Sequence, residues 1–223
     1  MHTLRNCRAP NCAAKAARFG HFCNTHNSRK RRHGAPDQRT ITKALLAPFT
    51  NRVRTRVEAN EGNLVWEHCA ANWRALVSHA EAIVARSRTG AAGISFERRA
   101  AEELCKLARV IDQQEIMFTV FAMFLMAEER PGSFVSDDGF SFQLVRRVRG
   151  LTDVNAGEWF DHNSGRVKRA YRDAPPKVTR LLASWFSHAF GSVGIYFARL
   201  DQRDRDEKQR RSDALATALA SLR

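Results

Sequence analysis

Three cysteines and one histidine near the start of the 223-residue chain constrain its fold more than any other feature. They follow the spacing C-x4-C-x10-C-x2-H, from Cys7 through Cys12 and Cys23 to His26. Thiolate and imidazole ligands within so short a segment are what a closed, tetrahedral zinc site requires. Because the protein would fill all four coordination positions, the Zn²⁺ ion is predicted to be structural rather than catalytic.

Several alternatives to this zinc site are open at the level of sequence. The cysteines could be a chance cluster, a redox pair or ligands of an iron–sulfur cluster. His21 or His33 could replace His26 as the fourth ligand. We favour His26 because a three-residue spacing from Cys23 places both side chains on one face of a first helical turn. Cys69 and Cys105 fall on apolar helix faces and are predicted to be core thiols.

A basic helix is predicted to begin at the last two ligands and to end before Gly34 and Pro36. Phe19 and Phe22 are expected to cover the metal, with Gly20 in a turn between them. The side chains expected to contact nucleic acid, mostly at phosphates, are Lys15 and Arg18 from the loop, Arg29, Lys30, Arg31 and Arg32 from the helix, and Arg52, Arg54 and Arg56 from the following segment.

The distribution of charge supports a basic module joined to a nearly neutral body. Of the net charge of +14, residues 1–56 contribute most, with 13 Lys and Arg against the single acid Asp37. Residues 57–223 carry 24 Lys and Arg against 22 acids. The 30 arginines outnumber the seven lysines, and guanidinium groups suit phosphates and guanine edges, although GC-rich coding gives the same bias. Nucleic acid is the expected partner, and we favour DNA over RNA.

The finger resembles a known group. The pattern C-x4-C, Gly, C-x2-H-x2-R, Gly is carried here by Cys7, Cys12, Gly20, Cys23, His26, Arg29 and Gly34. It is similar to the short treble-clef-like zinc fingers of phage and mobile-element proteins, which often accompany HNH-type endonucleases. The resemblance implies a zinc-binding, DNA-binding finger over residues 7–34 and implies nothing about the rest of the chain. The chain departs from the pattern in having one additional residue between Gly20 and Cys23, and Asn27 where tyrosine is common.

The rest of the chain predicts an all-α bundle of five to seven helices. Apolar residues recur at three- and four-residue spacing over Asn63–Arg88 and Phe96–Ile111. Asp112 begins a helix that runs to Arg130 and is apolar all round, hence central. Phe140–Arg149 is predicted to be a short helix with Arg146, Arg147 and Arg149 outward. Residues 152–165 are predicted to be irregular and 166–172 helical. A long helix is predicted to start at Pro175-Pro176, followed by a mixed-charge stretch at 201–211 and a small terminal amphipathic helix at 212–222.

We therefore predict a mainly α protein of three parts: a Cys3His zinc finger at 1–36, a basic linker or helix at 37–60 in which Pro48 breaks or kinks the chain, and an α-helical domain at 61–223. No signal peptide is apparent, and the longest apolar run, of 12 residues from Ile116 to Ala127, is too short to span a membrane. We expect a cytoplasmic, nucleoid-associated protein whose body forms a homodimer or binds a protein partner.

The sequence indicates no catalytic residues, so we expect binding rather than catalysis. The acid pairs Glu102-Glu103, Glu128-Glu129 and Asp137-Asp138 have no histidine placed beside them. The run Asp161-His162-Asn163 lacks the further ligands that an HNH-type nuclease needs. A divergent nuclease or recombination enzyme, and an RNA-binding or adaptor subunit of a larger assembly, are the alternative functions.

Overall fold

The computed structural model describes residues 5–90 and 93–221. In that part of the chain, seven α-helices and one two-stranded antiparallel sheet confirm the mainly α fold. The helices are α1 Asn24–His33, α2 Lys43–Glu58, α3 Leu64–Arg88, α4 Ser95–Val110, α5 Gln113–Glu129, α6 Asp137–Arg149 and α7 Pro176–Ser221. The strands are β1 Ala156–Asp161 and β2 Arg166–Tyr171.

The central helix of the bundle is α5, as the sequence predicts. The carboxylate of Asp112 caps it by accepting a hydrogen bond of 2.7 Å from the Gln114 N–H. Ten of its residues are buried, and it contacts α2, α3, α6 and α7. An apolar circumference is stable only when neighbours cover every side, which explains why four other helices pack around this one.

The segment at 37–60, predicted to be a basic linker or helix, forms α2 and packs directly on α5. Thr42 caps the helix, and Pro48 lies inside it without ending it. Phe49 and Val53 are almost completely buried, at 1% and 0% exposure. This segment therefore contributes side chains to the core of the body.

The prediction for residues 152–172 is wrong, because β1 and β2 form an antiparallel hairpin there. The turn between the strands is closed by Asp161, whose carboxylate accepts hydrogen bonds from the Asn163 N–H at 3.2 Å and the Ser164 hydroxyl at 2.7 Å. Side-chain bonds of this kind compete with helical ones and favour a turn. We call β1, β2 and their turn at 162–165 the β-ribbon.

The prediction of a separate terminal helix after the mixed-charge stretch at 201–211 is also wrong, because that stretch is helical and lies within α7, which is 46 residues long. Residues four apart support the charged part of the helix: Arg205 pairs with Asp201 at 3.1 Å, and Gln209 donates to Asp213 at 2.8 Å. Such pairs stabilise an exposed helix without help from a core. Residues 206–221 are exposed throughout, and Leu222 of the predicted terminal helix lies outside the described residues.

One arginine predicted to face solvent is buried. Arg149 ends α6 at 5% exposure, and its Nε donates to Glu103 of α4 at 2.6 Å. Its guanidinium also lies 5.1 Å from the ring centre of Tyr171 at the base of the β-ribbon. The arginine turns inward because the carboxylate and the ring both satisfy it there.

Among the described residues, no single helix has the length and apolar composition needed to cross a membrane, although α4 and α5 meet that test together as a sharply bent pair.

Candidate metal centre and nucleic-acid interface

The four predicted metal ligands come from one loop and from the start of α1. Cys7 and Cys12 flank a turn in which Asn11 has a left-handed backbone, with φ of 56°, a conformation that asparagine tolerates better than most residues. Cys23 is the N-cap of α1, and His26 lies in its first turn. The predicted helical placement of the C-x2-H pair is therefore confirmed.

The geometry of these side chains fits a tetrahedral metal ion. Their ligand atoms all lie within 4.8 Å of one another. The Nδ1 atom of His26 is 3.5 Å from Cys7 Sγ and 3.3 Å from Cys23 Sγ. With a Zn–S bond length of about 2.3 Å and a Zn–N bond length of about 2.05 Å, a tetrahedral site has an S···N separation of about 3.6 Å. Nδ1 is therefore the ring nitrogen placed to bind a metal.

The alternative ligands do not join this cluster. The His33 Nδ1 atom lies 3.1 Å from the Gln143 side-chain amide, and the side chain of His21 is exposed. All five cysteines are free thiols, so none is held in a disulfide. Cys69 and Cys105 are buried in the body, as predicted.

The surroundings of the sulfur atoms favour ionisation at Cys7. Burial raises the pKa of Cys7. Hydrogen bonds from the Cys23 and Ala9 N–H groups and contacts with the neighbouring ligands lower it by more, so that the pKa falls to about 6. The Cys23 N–H lies 3.2 Å from Cys7 Sγ. At Cys12 a hydrogen bond from the Ala14 N–H lowers the pKa, yet burial and the two neighbouring sulfurs outweigh it and the pKa is raised. A bound cation would offset this repulsion, because coordinated thiols lose their protons.

Very little apolar packing surrounds this site. Phe22 covers it, as predicted, whereas Phe19 is 92% exposed and the prediction that it covers the metal is wrong. A buried set this small cannot outweigh the conformational entropy of ordering the segment, and a metal ion held by the four ligands would supply stability that packing does not. The members of the cluster are Cys7, Ala9 and Cys23, with Cys12 and Phe22 packed against them.

The helix that follows the ligands is basic and exposed. α1 buries no side chain and contains no acidic residue. Its predicted contact residues Arg29, Lys30 and Arg31 are exposed, and none forms an ion pair with any described residue. Lys30 lies over the ring of Phe22, 5.5 Å from its centre, so the aromatic cover of the metal site also supports this side chain.

The C-terminal end of α1 is fixed to the body. Gly34 caps it with φ of 86°, and its N–H donates to the Lys30 carbonyl. Beside Gly34, His33 contacts Gln143 of α6, and Arg32 pairs with Asp173 at 3.6 Å. The helix is therefore anchored at both ends, by the ligand cluster and by the body, and its orientation is defined.

The other predicted contact residues differ in how open they are. Lys15 donates to Asn6 at 2.9 Å, and Arg18 lies 5.2 Å from the ring centre of Phe19; both basic side chains are exposed. The three arginines of α2, by contrast, bind acids of the body. Arg52, Arg54 and Arg56 pair with Glu129 at 2.6 Å, with Glu115 at 2.8 Å and with Asp204, respectively.

The acidic residues do not assemble a second metal site. Among residues 5–90 and 93–221, the Cys3His cluster is the only group of three or more His, Cys, Asp or Glu side chains placed to share an ion. Members of the three acid pairs are bound to arginines: Glu103 to Arg149, Glu129 to Arg52, and Asp138 to Arg180. Asp161 closes the turn of the β-ribbon, and its pKa is lowered by Lys168 and then by Ser164.

Comparisons of the chain with models of protein families, with curated proteins and with solved structures find no match. The geometry shows a cluster that could hold a metal ion. The resemblance to the fingers of phage and mobile-element proteins stays a prediction.

Sequence reasoning missed the β-ribbon. The turn sequence His-Asn-Ser-Gly at 162–165 lies between two six-residue segments that hold three aromatic residues and one β-branched residue, and a turn of this composition between such segments indicates a hairpin.

Proposed function

We propose that this chain binds DNA through a structural zinc finger whose metal ion fixes the basic helix α1 against the nucleic-acid backbone. The observation that carries the proposal is the continuity of the two features. The Cys3His cluster ends at His26, and exposed, unpaired cations begin three residues later at Arg29. The metal ligands therefore determine which way the basic side chains point.

Electrostatics supplies most of the binding energy in this proposal. Each cation placed on a phosphate releases condensed counterions, so the logarithm of affinity falls with the logarithm of salt concentration by about 0.9 per contact. B-form DNA is favoured over RNA because its major groove, about 12 Å wide, admits a helix. The major groove of an A-form RNA duplex is too narrow for side chains to read.

Fluorescence anisotropy with labelled duplex DNA over a range of salt concentrations tests this proposal. Arg29→Ala/Arg31→Ala is expected to weaken binding and to reduce the salt slope by about 2. Cys23→Ala is expected to abolish binding at moderate salt, because α1 loses its anchor. Arg74→Ala/Arg88→Ala removes two exposed arginines of α3 and is the matched control, with affinity near that of the wild type. Salt-insensitive binding that neither finger variant changes would refute the proposal.

The helical body would supply dimerisation or docking of a partner. Residues 206–221 of α7 extend beyond the bundle, and Leu215 and Leu219 are 63% and 58% exposed there. One finger reads few bases, so a second copy would double the contacted length of DNA and raise affinity by linking two weak sites.

A further inference from the structure

The outer part of the β-ribbon exposes large apolar side chains on both of its faces. Trp159, Phe160 and Val167 are 49%, 52% and 65% exposed. Phe160 lies directly opposite Val167, and Trp159 lies opposite Lys168 in the adjacent register pair. A hairpin on its own is only marginally stable in water. Large apolar side chains that lie uncovered on a hairpin therefore indicate a surface that binds a ligand.

Cations are interleaved with these aromatic side chains. Alternate residues of a strand share a face, so Trp159, Lys168 and Arg166 lie on the same side of the β-ribbon. Lys168 pairs with Asp161, whereas Arg166, which lies opposite Asp161 in the register, is exposed and forms no ion pair with a described residue. Residues 156–172 carry four Lys and Arg against two acids. Aromatic rings beside unpaired guanidinium groups suit nucleic acid better than a neutral protein surface.

The base of the β-ribbon lies beside the basic helix. Asp173, two residues beyond β2, binds Arg146 of α6 at 2.7 Å and Arg32 of α1 at 3.6 Å. Tyr171 packs beneath Arg146 and Arg149, whose guanidinium groups are 5.4 and 5.1 Å from its ring centre. The β-ribbon and α1 are therefore attached to the same edge of α6, and a polymer lying along α1 passes the base of the β-ribbon.

We infer that the β-ribbon is a second DNA-binding element, which enters the major groove beside the segment held by α1. The face that carries Trp159, Lys168 and Arg166 turns toward the DNA. Arg166 contacts phosphate or a guanine edge, while Trp159 makes apolar contacts with base edges, including thymine methyl groups. The inference rests on the function proposed above for α1 and extends it, because two elements read more DNA than one helix can.

The dimensions of the two elements agree with one duplex. Six residues per strand give a ribbon of about 20 Å at about 3.3 Å per residue, and the ten residues of α1 span about 15 Å at 1.5 Å per residue. Together they cover at most about one turn of B-form DNA, which is about 34 Å long. A two-stranded ribbon fits the major groove of B-form DNA and is excluded from the deep, narrow groove of A-form RNA.

The test measures the affinity of the full-length chain for a labelled DNA duplex of about two helical turns and for an RNA duplex of the same sequence. Trp159→Ala/Arg166→Ala is expected to weaken DNA binding at least about tenfold and to reduce the salt slope by about 1. Trp159→Phe/Arg166→Lys keeps a ring and a charge and should retain most of the affinity. Tyr196→Ala/Arg203→Ala removes an exposed ring and an exposed arginine from α7 and should leave affinity unchanged.

The outcomes separate this inference from the function proposed for α1. If Arg29→Ala/Arg31→Ala loses affinity while Trp159→Ala/Arg166→Ala binds like the wild type, the β-ribbon has no role in binding and the inference is wrong. If only the ribbon variant loses affinity, the β-ribbon binds DNA by itself, and the function proposed for α1, with the pairing of the two elements, is wrong. If the wild type binds the DNA duplex and the RNA duplex equally well, the assignment to DNA is wrong. If the wild type binds neither duplex, the inference and the function proposed for α1 are both wrong. Unchanged circular dichroism and thermal unfolding establish that the exposed substitutions preserve the fold.

Discussion

Replacing Gly34 by alanine is expected to release the finger from the body. Gly34 has a positive φ of 86° and lies against the first turn of α6. A Cβ atom there would lie 2.3 Å from the Asp138 carbonyl oxygen and 2.9 Å from the Gly139 nitrogen. Because both neighbours are backbone atoms, no rotation of a side chain can relieve the overlap, and the junction between α1 and α6 must open.

The cost of this substitution follows from two separate terms. A non-glycine residue with positive φ loses about 1–2 kcal/mol, and overpacking a close contact adds about 1–3 kcal/mol. Gly34→Ala is therefore expected to destabilise the junction by about 2–5 kcal/mol. Gly90 provides a matched control, since its φ is 78° and no atom of the described residues lies within 4 Å of its Cβ position. Gly90→Ala should show only the backbone term.

Urea denaturation followed by tryptophan fluorescence measures the loss of global stability, and hydrogen exchange at α1 measures local opening of the junction. The expected result is faster exchange at α1 in Gly34→Ala and a total loss that exceeds that of Gly90→Ala by at least about 1 kcal/mol. Equal losses for the two variants, with unchanged exchange at α1, would refute the contact between Gly34 and α6.

Three further predictions concern the body. Arg149→Ala should cost about 3–5 kcal/mol in urea denaturation because it leaves the Glu103 carboxylate without its buried partner; a loss below about 1 kcal/mol would contradict this. The hydrogen bond from Arg180 is the largest effect on the pKa of Asp138 and lowers it. This ion pair therefore stabilises the fold at neutral pH, and its contribution is lost as pH falls through the folded-state pKa of Asp138. The stability lost on acidification should be smaller in Arg180→Ala than in the wild type by at most about 1 kcal/mol, because the pair is partly exposed. An unchanged pH profile would count against the pair. If α7 mediates dimerisation, Leu215→Glu should convert a sedimenting dimer into a monomer without changing stability, whereas a dimer that persists would exclude this surface.

Local rules predicted the features that depend on neighbouring residues. The spacing of Cys23 and His26 placed two ligands on one turn, and Asp112 capped α5 as its sequence indicates. The apolar circumference of α5 predicted its central position, because such a helix is stable only when covered. These features require no knowledge of which distant segments meet.

Features set by distant contacts were not predictable in the same way. The arginines of α2 have the composition of a binding surface, yet Glu115, Glu129 and Asp204 neutralise them in the fold. Arg149 turned inward because a carboxylate of α4 and a ring of the β-ribbon meet it there. The hairpin, by contrast, had a local signal in its turn residues. The spacing of apolar residues in the flanking segments obscured that signal.

Native mass spectrometry of the purified chain tests the central claim most directly, because every functional proposal depends on a metal ion that anchors α1. The expected result is one zinc ion per chain, retained in Cys105→Ser, which alters a buried core thiol, and lost in Cys12→Ser, which removes a ligand. A metal-free wild type, or zinc that remains bound after Cys12→Ser, would contradict the assignment of the Cys3His centre.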